Sequence, residues 1–396
     1  MKKDVIIIGG GPAGLAAAEK IAKTGLSVQL LEEHPTVGEP LACGEGISVE
    51  KLKLLGIPLS DEFVVRRLVF QRFFMGRGAL TAHLKTVTVD RPKFDRFLMH
   101  RAQEAGAEIM TATAARDLKI DENGATIKYV ASGGISGEIK ADVVIGADGA
   151  PARMSKFVGL EGPKDFVQGV EVKVQGVHTD GLDFYFDHNL TPKGYGWVFP
   201  KATDTNIGIV LAKGKNPKKR LTQFLINLEN RYNLPKFEIK QEIAGIIPAT
   251  GRISQVYTDR YVVIGDAGGF TNAFFYGGIS IGIHTAYLAA QEIKKAFDAE
   301  DFSAQQLSSY QEETSKMMYV ERSVYEAHRI FYNQWNQEHI ETAGKLLDTF
   351  DVTKVGKKKK YIIAAKGMLF HPFALWKLRD ARKMIRGLKV SRDWGF

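Results

Sequence analysis

Gly9, Gly11 and Gly14 stand in the spacing Gly-x-Gly-x-x-Gly between an apolar run at 5–8 and a helical stretch reaching about residue 23. Glycines so placed permit a tight turn and a close backbone approach to a pyrophosphate. The helix N-terminus that follows offers free N–H donors and the positive end of a dipole. Glu32, 18 residues past Gly14 at the end of the next apolar run, is placed to accept hydrogen bonds from a ribose. The chemistry these residues suit is dinucleotide binding. A second group lies far along the chain, where Tyr195, Trp197 and Phe199 recur at every other position. That period puts three rings on one face of a strand, as a wall for an apolar substrate or as a plain aromatic core stripe.

The glycine motif needs a buried parallel strand before it and a crossover after it. Residues 5–8 are a continuous apolar run, and 26–31 complete a β–α–β unit of about 30 residues, right-handed by chain chirality. The patterning predicts a helix over 92–105, hairpin strands over 114–120 and 125–139 broken at Ser132-Gly133-Gly134, and a buried strand at 143–145. From 166 to 211 it changes to alternation with aromatics: Val170, Val172 and Val174, then Phe184 and Phe186, then the ring triplet. Helices are expected over 217–232, from 278 past 294, and largely from 302 onward. The fold class expected is α/β. A Rossmann-like nucleotide-binding domain (1–160 and 250–300) is interleaved with an antiparallel-sheet substrate domain (161–249 with part of 60–90), and a helical C-terminal region (301–396) ends in a basic tail.

The chain's 396 residues suffice for two fused cores, and no apolar run reaches the roughly 20 residues of a membrane span. A cytoplasmic protein is expected. The single cysteine, Cys43, excludes an internal disulfide, a cysteine-ligated iron–sulfur cluster and a multi-cysteine zinc site, and no metal is expected. The net charge of +9 is concentrated: 354–396 carry 13 Lys and Arg against two acids, which leaves the rest slightly negative. Basic residues mixed there with Phe370, Phe373, Trp376, Trp394 and Phe396 suit peripheral contact with an anionic membrane face, or a terminal helix pair with a solvated basic side. Nucleic acid is not an expected partner.

Further motifs carry a resemblance. Val144-Ile145-Gly146-Ala147-Asp148-Gly149, Val262-Val263-Ile264-Gly265-Asp266-Ala267-Gly268 and Arg91-Pro92-Lys93-Phe94-Asp95 follow the glycine fingerprint in order. Together they resemble the two-domain FAD flavoproteins of the para-hydroxybenzoate hydroxylase type. Cys43-Gly44-Glu45-Gly46 and Tyr195-x-Trp197-x-Phe199-Pro200 are similar to two signatures of the geranylgeranyl reductase family within that group. The resemblance implies FAD, with Ala13 at the pyrophosphate turn and Cys43, Gly44 and Gly46 near the isoalloxazine. It further implies Arg91 towards the phosphates, Ala115 at the adenine by its backbone, Asp266 on the ribityl chain, and donors from Gly278 and Ile279. The chain departs from the family at Asn272-Ala273, usually Asp-Pro, at Tyr276, usually glycine, and at Ala42, usually basic. Phe274-Phe275-Tyr276 is expected to add bulk beside the flavin's substrate side, which bears on the substrate more than on FAD.

The activity implied is reduction of isolated C=C bonds in geranylgeranyl or polyprenyl chains, archaeal ether membrane lipids being the preferred substrate. A hydride reaches one carbon and a proton the other, in a dry tunnel between the Trp197 sheet and the C-terminal helices. Cys43, Glu45 and Tyr276 are the candidate proton donors; Cys43 reads equally as a small apolar spacer. The electron donor is NADPH or a ferredoxin-like acidic protein docking on the tail. The alternative is an FAD monooxygenase or halogenase of the same fold, since Gly194-Tyr195-Gly196-Trp197-Val198-Phe199-Pro200 also resembles a halogenase pattern.

Overall fold

The computed structural model describes residues 2–175, 177, 179–249, 251–319, 321–347 and 350–351, with Lys383 and Arg386 beyond them. The rest of the basic tail, with the membrane and docking roles expected of it, lies outside the described residues.

Strand β1 (Lys3–Ile8) leads through the glycine turn to helix α1 (Pro12–Ala22) and β2 (Val28–Leu31). Then come β3 (Gly46–Ser48), α2 (Val49–Leu54), the long hairpin β4 (Val64–Met75) and β5 (Gly78–Val89), and α3 (Arg91–Glu104). β6 (Glu108–Met110), β7 (Thr113–Asp121), β8 (Gly124–Ala131), β9 (Ser136–Gly146) and α4 (Arg153–Phe157) close this half. Next are β10 (Phe166–Val174), β11 (Leu182–Phe186), β12 (Tyr195–Pro200), β13 (Thr205–Ala212), α5 (Pro217–Tyr232) and β14 (Ile239–Pro248). The chain returns through β15 (Tyr257–Thr258) and β16 (Tyr261–Val263) to α6 (Ile279–Asp298), α7 (Ala304–Tyr319), α8 (Glu321–His328), α9 (Gln337–Leu347) and β17 (Phe350–Asp351).

The first sheet runs β15-β16-β9-β1-β2-β6. Parallel neighbours flank β1, Ile7 lying opposite Leu30 and Ile145, so Val5, Ile6 and Ile7 are fully buried. At about 1.5–3 kcal/mol per buried side chain, this apolar run is what fixes β1 at the centre. β9 is longer than the apolar 143–145 suggests because it serves two ladders. Its first half pairs antiparallel with β8, and its second half runs parallel to β1 and β16.

The second sheet runs β14-β10-β13-β12-β11-β4-β5-β17, with β3 on β5. α5 covers one face, packing Leu221, Phe224, Leu225 and Leu228 on Val172, Val198, Ile207 and Ile209. The other face carries Phe184, Tyr195, Trp197 and Phe199, and meets Phe274, Phe275, Phe331 and Tyr332. The described residues after 302 are largely helical, as expected, with two additions: β17 adds a parallel strand to β5, and Arg329–Gln334 forms a π-helical turn between α8 and α9.

Candidate active site

The glycine turn works through its backbone. Gly9 has φ +113°, and a Cβ there would lie 2.2 Å from the Ala147 carbonyl oxygen; a Cβ on Gly14 would lie 2.0 Å from that of Gly9. These glycines let α1 start directly against β1 and β9. Around Gly11 a Cβ would meet nothing within 4 Å, and as N-cap of α1 it brings no side-chain cap, so the helix presents free N–H groups to open space. Glu32 is buried at the end of β2. Its Oε2 accepts the Gly10 N–H at 2.6 Å, and its Oε1 accepts the His34 N–H at 2.8 Å with His34 Nδ1 at 2.6 Å. The carboxylate thus ties the turn to the second strand from the place where a ribose would meet it.

Two cavities, of about 380 and 330 Å³, meet at Gly11, Ala42, Arg91, Ala147 and Gly149 and form one slot. The first is lined by Gly9, Glu32, Ala115 and Asp148, whose Oδ1 is buried without a partner among the described residues. The second is lined by Ala13, Cys43, Gly44, Glu45, Gly46, Asp266, Gly278 and Ile279 on one side and by Tyr195, Trp197, Phe199 and Tyr276 on the other. Every candidate site residue named from sequence reaches the slot except Gly14, which closes the helix on the turn. The open helix end, the acid beyond it and the length of the slot fit a dinucleotide.

Asp266 sits in a 3-10 turn after β16, beside the N-terminus of α6, where N-cap Gly278 has no side-chain cap. Burial pushes its carboxyl up to about 6, Arg91 pulling the other way. Arg91 stands where the two cavities meet. Its guanidinium forks onto Asp95, with both N···O distances 3.0 Å, and faces Cys43. The 43–46 loop lies on the aromatic wall: Cβ atoms on Gly44 and Gly46 would each lie 3.3 Å from the Phe199 ring.

The three candidate proton donors differ in what already holds them. Glu45 is buried with its Oε2 at 2.7 Å from Lys201 Nζ and 3.6 Å from Lys173 Nζ, and its Oε1 takes the Arg91 N–H at 3.1 Å. Tyr276 donates its hydroxyl to the Lys193 carbonyl at 2.7 Å, and burial pushes the phenol well up. Its ring stacks between Tyr195 and Tyr332. Tyr276 also has φ +58°, the left-handed backbone for which glycine is the natural choice. Cys43 Sγ accepts the Glu45 N–H at 3.2 Å, and burial keeps it a thiol.

Sequence reasoning missed three polar groups beneath this loop. Asn206 on β13 accepts the Trp197 indole N–H at 3.2 Å and reaches the Cys43 carbonyl at 3.5 Å. Lys201 directly follows β12, and Glu171 lies on β10 between two valines, both buried. The expected tunnel also runs elsewhere. Rings of Phe274, Phe275, Phe331 and Tyr332 fill the seam between the sheet and the C-terminal helices, and the cavity instead passes Val210 to Ile246 and Ile247 on β14. β14 is the sheet's edge strand, and Ile246 is exposed.

Residues 2–267 match a family model described as an FAD binding domain. Digeranylgeranylglycerophospholipid reductase 2 of Methanothermobacter thermautotrophicus is 31% identical over 325 residues, 78% of this chain and 83% of that protein. A solved geranylgeranyl bacteriochlorophyll reductase-like protein from Thermoplasma acidophilum superposes with a TM-score of 0.83 at 24% identity, covering 96% of this chain and 99% of the other. A flavin-dependent brominase superposes at 0.70 and 19% identity over 93% of this chain and 99% of its own.

Proposed function

The chain belongs to the FAD-binding domain family and, through a relative 31% identical over most of its length, to the digeranylgeranylglycerophospholipid reductases, and from that premise we propose that it saturates isolated C=C bonds in the geranylgeranyl chains of an ether membrane lipid. FAD is its cofactor. The observation that carries the reading is the pair of adjoining cavities, which share Gly11, Ala42, Arg91, Ala147 and Gly149 and reach from a pyrophosphate-ready helix end to a wall of Tyr195, Trp197 and Phe199. Likeness to the brominase is one of fold.

Within the slot, the α1 N-terminus and Arg91 would hold the pyrophosphate, Glu32 a ribose and Ala115 the adenine by its backbone. Asp266 would take the ribityl chain, and Gly278 and Ile279 would donate N–H groups at the start of α6. When bound, the flavin supplies the hydride. The protein's part is to hold an apolar chain against the rings, keep water out, and present a proton to the second carbon. Cys43 is the candidate whose proton is not already given to a partner; Glu45 and Tyr276 shape the ground on either side of it.

Turnover takes a polyprenyl lipid and a redox partner. The donor we assign is NADPH or a ferredoxin-like protein, and the basic tail is the surface we assign to that partner and to a membrane face. Among the described residues no helix is long and apolar enough to cross a membrane. The domains are drawn at 1–160 with 250–300, 161–249 with part of 60–90, and 301–396.

The test is anaerobic. Chemically reduced protein is mixed with a geranylgeranyl-bearing ether lipid, and product mass is followed alongside flavin absorbance. Mass should rise by one H2 equivalent per double bond as the flavin reoxidises. Reoxidation only on admitting oxygen, with the lipid unchanged, would sink the reductase reading and favour oxygen-dependent chemistry.

A further inference from the structure

Reducing an unpolarised alkene consumes one proton for each hydride, and the wall of the cavity offers a single unclaimed thiol to supply it. What could recharge Cys43 is read from the groups behind it. On the sheet face under the 43–46 loop, Glu171 of β10 lies opposite Gly208 of β13, which lies opposite Trp197 of β12. A Cβ on Gly208 would fall 2.7 Å from the Glu171 Cβ and 2.2 Å from the Trp197 ring. The missing side chain is what lets the carboxyl and the indole close over β13. Trp197 and Cys43 line the cavity; Glu171 meets Trp197 over Gly208 and lies near enough to Cys43 for its charge to act on the thiol.

Glu171 is 3% exposed, and among the described residues no hydrogen bond of good geometry reaches either oxygen, although the Asn206 amide is near enough to favour its charged form. Asn206 stands beside it, but that amide is turned to Trp197 and to the Cys43 carbonyl. An ionised carboxylate left so would cost several kcal/mol. The charged groups facing it are Glu45 from the loop, Lys173 from its own strand and Lys201 from the end of β12, with Cys43 and Arg91 beyond. Glu45 is the anion of this set, paired to Lys201.

We propose that Glu171 is the proton store of the active site, a positioning residue that recharges the Cys43 thiol after each reduction. The proposal rests on the alkene reductase reading. The bound flavin would supply the hydride for one C–H bond; Cys43 supplies the proton for the other, its S–H bond breaking as that C–H bond forms. The thiolate, held beside Arg91, then takes the proton of the Glu171 O–H. The resulting carboxylate is balanced by Lys173 and Lys201 until solvent returns a proton. Burial, and next to it the Glu45 charge, push the Glu171 carboxyl up to about 8, so the store is full at neutral pH.

The test compares wild type, Glu171→Gln and Glu171→Asp as purified flavoproteins. Infrared titration of the oxidised wild type should show a protonated-carboxyl band that disappears with a midpoint near 8 and is missing from Glu171→Gln. With chemically reduced protein and geranylgeranyl lipid, multiple-turnover rates should fall by about 10²-fold in Glu171→Gln and recover in part in Glu171→Asp, as loss and rescue of a proton donor predict. The wild-type rate should decline above that same midpoint, a limb that Glu171→Gln lacks. If wild type reduces the lipid but Glu171→Gln keeps its rate and its alkaline limb, or the band survives the substitution, the store is not Glu171. If wild type adds no hydrogen to the lipid while the band titrates as described, the functional reading fails and the buried acid stands without this role. Should Glu171→Gln lose flavin, Glu171→Asp decides through its band and its pH profile.

Discussion

The two ends of the slot are made of different materials. Around Gly9, Gly11 and Ala13 the wall is backbone, a helix end and one carboxylate that accepts from Gly10 and meets His34. Around Cys43 it is side chains: aromatic rings on one side, and beneath them a buried set of Glu45, Lys201, Lys173 and Glu171. A cofactor that stays in place needs only shape and fixed dipoles, which backbone supplies without titrating. A reaction that moves a proton needs groups able to change charge, and water exclusion makes each such group costly unless partnered. The cradle is therefore sensitive to added volume and the reaction end to removed charge.

The largest effect should come from adding volume at the cradle. In Gly14→Val the new Cβ must occupy space 2.0 Å from the Gly9 carbonyl oxygen, so α1 has to leave β1. Purified Gly14→Val should carry essentially no flavin, read as absorbance per protein, and should melt well below wild type. Gly25→Ala makes the control. Gly25 has positive φ, at +89°, but nothing lies within 4 Å of a Cβ there, so its cost should be about 1–2 kcal/mol with flavin content unchanged. If Gly14→Val retains flavin, the close approach is not what builds the cradle.

Removing charge at the other end comes next. Lys201→Met strips Glu45 of its 2.7 Å partner and leaves Lys173 at 3.6 Å, with the carboxylate still buried. Breaking a buried pair on one side costs about 3–5 kcal/mol, and the nearby Lys173 should hold the loss to the lower part of that range in urea unfolding. Adding Glu45→Gln to Lys201→Met should recover most of it, since the orphan charge is then gone and Gln can still accept the Arg91 N–H. A double variant no better than the single would mean that the pair's packing matters more than its charge.

How much of this was legible follows the same division. Gly-x-Gly-x-x-Gly is readable because backbone geometry admits only glycine at fixed spacing, and Asp266 and the Cys43 loop are readable because they recur as short contiguous strings. The Tyr195, Trp197, Phe199 stripe follows from period-two alternation, and all three are buried on one face. Glu171 was hidden by that same rule. Between Val170 and Val172 it reads as the solvent side of a strand, yet all three are buried. The sheet is covered on both faces, by α5 and by the 43–46 loop, and no single strand records what covers it. The seam filled by Phe274 and Tyr332 is a packing fact between segments 58 residues apart, and alternation is silent on it. Tyr276, a departure in the sequence, gains its meaning only from its left-handed backbone.

The smallest effect concerns pH and separates the two ends most cleanly. Glu171 binds its proton more tightly folded than unfolded, its carboxyl rising from 4.5 to about 8. Between those values the folded chain holds the extra proton, so this group's stabilisation is complete below about 4.5 and is lost as pH rises through about 8. Asp266 and Asp183 have the same sign but stop near 6, and His188, His284 and His328, lowered from 6.5, act with the opposite sign below that value. Burial raises Asp95 and Asp148 as well, so it is the comparison with Glu171→Gln that isolates Glu171 between about 6.5 and 8. Over that window the stability difference between wild type and Glu171→Gln should shrink with pH at up to about 1.4 kcal/mol per unit, read from urea midpoints at each pH. A flat line for Glu171→Gln would mean that the carboxyl is already ionised in the folded chain, paired to Lys173 and Lys201 like Glu45.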